Sequence, residues 1–78
     1  MSNPSTYHPH HARLAAGLSL TAAAEAIGTS RRTLARWEDG QMSPPAGMLP
    51  RIIRAYQLSD EAAAGLARWW EARAGGAA

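Results

Sequence analysis

Three glycines, Gly17, Gly28 and Gly40, each close a short segment whose apolar residues recur at helical spacing, and they limit how long any helix in the first half can be. Pro9 suits a first helical turn, so the first helix is expected over about 9–16. Ser19 is placed to cap a second helix over 20–27, with Ala23, Ala24 and Ile27 on one face. Ser30 is placed to cap a third, from Arg31 to Asp39. Only Gly28, Thr29 and Ser30 then separate the second helix from the third.

Past Gly40 the segment Gln41–Gly47 carries Pro44, Pro45 and Gly47 and reads as a loop. Met48, Leu49, Ile52, Ile53 and Tyr56 resume the helical period, and Pro50, comfortable only in a first turn, sets the start of a fourth helix near 48–50. Ser59, Asp60 and Glu61 open a fifth, expected to run to about Arg73. No stretch alternates apolar and polar residues as a strand does. The fold class is all-α, with residues 1–8 as a flexible arm, 9–74 as the folded domain and 75–78 as a frayed end.

Size and composition narrow the function. A chain of 78 residues makes one small domain, and a catalytic pocket would consume much of its core. There is no cysteine, hence no disulfide, thiolate zinc site or cysteine nucleophile. No glycine-rich phosphate loop and no Ser/His/Asp grouping is present, so neither catalysis nor a cofactor is expected. Arg13, the apolar run Leu14–Ala24 and the Ala24-Glu25-Ala26 triplet imitate a signal peptide, but Gly17, Ser19 and Thr21 interrupt the run. No membrane span is long enough to be credible, and a soluble protein of the cytoplasm or nucleoid is expected. The net charge of +2 is too small for an indiscriminate polyanion binder. The basic residues are all Arg, and residues 1–36 hold four of them against one acid.

Placement matters more than charge. At about 100° per residue the third helix splits into a face with Leu34 and Trp37 and a face with Arg31, Arg32, Ala35 and Arg36. Three guanidinium groups around one small alanine suit a DNA major groove, where Arg reaches guanine O6 and N7 with both arms. A merely solvated basic face has the same pattern, and the short helix and turn directly before it favour the groove-binding face.

The segment LSLTAAAEAIGTSRRTLARWEDGQMSPP resembles the helix-turn-helix of the Cro and phage-repressor, or xenobiotic-response-element, family. The likeness extends from Arg13 to about Ser59 and rests on Gly28, Ser30, Leu34, Trp37, Glu38 and Gly40. It implies a compact five-helix, lambda-repressor-like domain whose second and third helices bind DNA. By the resemblance Ser30, Arg31, Arg32 and Arg36 read bases, Thr33 and Gln41 contact phosphates, and Arg13 pairs with Glu38 to hold the first helix on the third. Relatives often carry glutamine where this chain has Leu20, so Ser19 and Thr21 are assigned that phosphate contact. Asp39, Met42 and Pro50 also depart from the pattern.

Two clusters lie outside it. His8, His10 and His11 flank Pro9; without metal-ligand spacing they read as part of a mobile arm, and no metal site is expected. On the fifth helix Leu66, Trp69 and Trp70 share a broad face, one indole suited to the core and the other to a partner, with Arg73 at the rim. That face is the expected homodimer contact. The expected function is a dimeric Cro-like repressor or autorepressor on a palindromic operator with guanine-containing half-sites, with no room for a small-molecule effector domain. The rival reading is an antitoxin-like module that holds another protein through Trp69 and Trp70.

Overall fold

The computed structural model describes the backbone of residues 8–76 and the side chains of residues 8–73. Among these residues it has five α-helices and no strand: α1 Pro9–Ala15, α2 Leu20–Ile27, α3 Arg31–Glu38, α4 Leu49–Tyr56 and α5 Asp60–Gly76. None is long and apolar enough to cross a membrane. A short 3-10 turn, Ala46–Met48, leads into α4, where sequence reading expected only loop up to Gly47. Pro50 falls in the first turn of α4, where the missing N–H costs nothing. The fifth helix continues past Arg73 to Gly76.

Each of the first four helices ends in the same way. A residue at the C-cap or directly after it enters the left-handed region, and the next N–H reaches back across the last turn. For α3 this is Gly40 (φ 78°), with Gly40 N–H donating to the Trp37 carbonyl and Gln41 N–H to that of Arg36. Gly17 and Gly28 play the same part for α1 and α2. At α4 the residue is Gln57 (φ 54°), whose N–H bonds the Arg54 carbonyl while Leu58 N–H bonds that of Ile53. A left-handed non-glycine residue is strained, so this stop carries no signal in the sequence.

The core gathers the inward face of every helix. Ala23, Ala24 and Ile27 of α2 and Leu34 and Trp37 of α3 meet Ile52 and Tyr56 of α4, with Ala12 of α1 and Leu66 and Trp70 of α5 closing the sides. The alanines let α2 lie close to its neighbours, and α2 packs against both α3 and α4. Trp70 is buried and its indole N–H donates to the Trp37 carbonyl at 3.0 Å. A buried indole needs such an acceptor, and this one ties α5 to the end of α3. Leu66, 2% exposed, belongs to the same core. This revises the expected dimer face: Leu66 and Trp70 are already used within one chain, and Trp69 is only half-buried.

Candidate nucleic-acid interface

Helix α3 is set by its two ends. At the start Ser30 is the N-cap, its Oγ accepting from Thr33 N–H at 3.0 Å and donating to Thr33 Oγ1 at 2.9 Å. The serine hydroxyl expected to read bases is therefore engaged in holding the helix, and the Thr33 hydroxyl keeps a hydrogen to donate outward. Ser19 caps α2 in the same way, accepting from Ala22 N–H at 3.1 Å, beside the exposed Thr21. The two helices are joined by Gly28, Thr29 and Ser30, a three-residue turn. Gly28 has φ 92°, and a Cβ there would come within 2.8 Å of the Arg51 guanidinium. That guanidinium reaches the Ile27 carbonyl at 3.4 Å, placing a cation at the electronegative end of α2.

The outer face of α3 carries Arg31, Arg32 and Arg36, all exposed, around the half-buried Ala35. Among the described residues none of the three enters an ion pair. Gln41, just past the Gly40 turn, is exposed, with its side-chain amide at 3.5 Å from the Asp39 carboxylate. The assembly offers three cationic forks on a helix face and hydroxyl or amide groups at both its ends.

On the opposite side of α3 the chemistry reverses. Arg13 and Glu38 are both 7% exposed. Arg13 Nε donates to Glu38 Oε2 at 2.6 Å and Nη2 to Oε1 at 3.3 Å, a two-pronged pair between α1 and α3. Arg13 Nη1 also donates to the Leu18 carbonyl at 2.9 Å, so one guanidinium fixes α1, α3 and the loop entering α2. His10 joins the network, with Nδ1 3.2 Å from Glu38 Oε1 and 3.0 Å from Arg13 Nη2. Among the described residues no buried side-chain nitrogen or oxygen lacks a partner. Burial pushes the Tyr56 phenol far above its ordinary range, and the nearby Glu38 charge adds to this while Arg13 opposes it.

The histidines do not form the mobile arm expected of them. His8 is the N-cap of α1, its Nδ1 accepting from His10 N–H at 3.1 Å, and its ring meets Trp69 edge-on with centroids 4.8 Å apart. Arg73 stacks over the same indole, 3.6 Å from its centroid. The Arg73 side chain also lies across Gly40, where a Cβ would be 2.7 Å from Nε. Trp69, assigned to the dimer contact from the sequence, and Arg73, assigned to its rim, thus pack on α1 and on the turn after α3. No group of three or more His, Cys, Asp or Glu residues among the described ones is arranged to hold a metal ion.

Sequence reasoning missed the cap role of His8 and the part of His10 in the Arg13–Glu38 network. Pro9 held the available signal, since a proline in the first helical position places the residue before it at the cap.

A family model described as a helix-turn-helix domain matches residues 10–66, which takes in α2, the turn and α3 together with α4 and the first part of α5. Comparison with curated proteins gave no match, and comparison with solved structures gave none.

Proposed function

The chain belongs to this helix-turn-helix family, and we propose that it is a sequence-specific DNA-binding transcriptional regulator of the Cro type, laying α3 in the major groove. The observation that carries this reading is the outer face of α3, where three exposed arginines without carboxylate partners surround a small residue. Guanidinium forks of this kind bind guanine O6 and N7, so guanine-containing half-sites follow. Thr21 and Ser19 at the start of α2, with Thr33 and Gln41 at the two ends of α3, are the groups for backbone phosphates. Ser30 contributes by holding the amino end of α3 in shape. Arg13 and Glu38 set the angle of α1 against α3 and take no part in contact with DNA.

A module this small buries roughly 600–1,000 Å² of its surface on DNA, which favours two copies on a palindrome with half-sites about one helical turn apart. The part of α5 still at the surface, around Trp69 and Arg73, is the contact we assign to such a dimer. Occlusion of polymerase by the bound pair makes the protein a repressor.

The test is selection of bound sequences from a random duplex pool, followed by anisotropy titration of the selected and a scrambled duplex at two salt concentrations. The expected result is a guanine-containing palindrome bound far more tightly than the scrambled duplex, with affinity falling as salt rises. No enrichment, or equal binding of both duplexes, overturns the proposal.

A further inference from the structure

We propose that His8 is a proton-operated latch: neutral, it closes the amino end of α1 and seats it on α5 beside the end of α3, and protonated, it releases both contacts. The hydrogen-bond chemistry comes first. His8 Nδ1 accepts from His10 N–H at 3.1 Å, which requires a lone pair on that nitrogen. An imidazolium has a hydrogen on each nitrogen and no lone pair, so protonation puts a donor against a donor.

The surroundings act in the same direction. On α1 the ring of His11 lies 5.4 Å from that of His8, and His10 is two residues on. From α5 the edge-on Trp69 ring carries the Arg73 guanidinium, so a charged His8 would be a second cation beside the same indole. From α3, Glu38 and Asp39 line the same cleft, but Glu38 is committed to Arg13. Burial, then His11, Arg73 and His10, hold the His8 imidazole below the ordinary histidine value of 6.5, with Glu38 acting in the opposite sense.

The sign of the linkage follows. The folded state binds fewer protons at His8 than the unfolded chain, so the stabilisation is complete above the unfolded value, begins to fall as pH drops below it, and is lost as pH falls through the lower folded value. The window is that of histidine, set by the lowered His8 value.

Two measurements on the full chain test this. Residue-resolved NMR titration of the wild-type protein reads His8 directly, and the expected midpoint is below 6.5. Thermal melting from about pH 7.5 to about pH 5.5 compares wild type with His8→Asn, which keeps a capping acceptor that does not titrate. Wild type is expected to lose melting temperature on acidification, with tryptophan fluorescence changing in parallel, and His8→Asn to lose part of that dependence while keeping His10 and His11. A His8 midpoint at or above 6.5, or an unchanged pH dependence in His8→Asn, overturns the latch. Should His8→Asn fail to fold, the wild-type titration decides alone.

Discussion

Arg13 and Arg36 stand on opposite sides of α3, and the same side chain has opposite fates. Arg13 is buried, held by both carboxylate oxygens of Glu38 and by a backbone carbonyl. Arg36 is exposed on a face where no described residue pairs with it. What separates them is the presence of an acid at the point where the guanidinium lands. A satisfied arginine fixes geometry, whereas an unsatisfied one remains available to a ligand's acceptors.

The largest effect should come from breaking the satisfied side. Glu38→Ala strands a buried guanidinium, and loss of one partner of a buried pair costs about 3–5 kcal/mol. Chemical denaturation should show this as a lower midpoint, and an unchanged midpoint would remove Arg13–Glu38 from the structural role. On the other face, Arg36→Ala should cost about 1–3 kcal/mol of binding to the selected duplex if it makes a bidentate base contact. Its melting temperature should barely move; equal losses on selected and scrambled DNA would reassign Arg36 to phosphate. Ser30→Ala sharpens the boundary between the two sides. As a cap it should lower stability by about 1 kcal/mol, and a loss of discrimination without loss of stability would return it to the base readers. The smallest effect is a gain: Gln57→Gly relieves the left-handed end of α4 and should raise stability by about 0.5–1 kcal/mol. Binding at a temperature where both proteins are folded should be unaltered by it, since neither set of arginines is touched.

The legibility of the chain follows the same division. Helices that stop at glycine could be placed from residues alone, because few other residues enter the left-handed region without strain. The end of α4 could not, because a non-glycine residue, the exposed Gln57, takes that conformation there. The three arginines of α3 were readable as one face because helical geometry fixes which residues point together. The division of labour between Trp69 and Trp70 was not readable. It depends on which indole N–H can reach a buried acceptor, and only the Trp37 carbonyl beneath Trp70 answers that. The histidines were misplaced for a related reason: their partners, Trp69 and Glu38, come from helices distant in sequence.

The brevity of the helices has one more consequence. From α1 to α4 none exceeds eight residues, while an isolated helix in water needs roughly 12–15 to persist. The helix that carries Arg31, Arg32 and Arg36 is therefore a product of the assembled core and has no independent existence. Folding and recognition become one cooperative equilibrium, in which a bound duplex draws the chain toward its native state in proportion to the logarithm of its concentration over Kd.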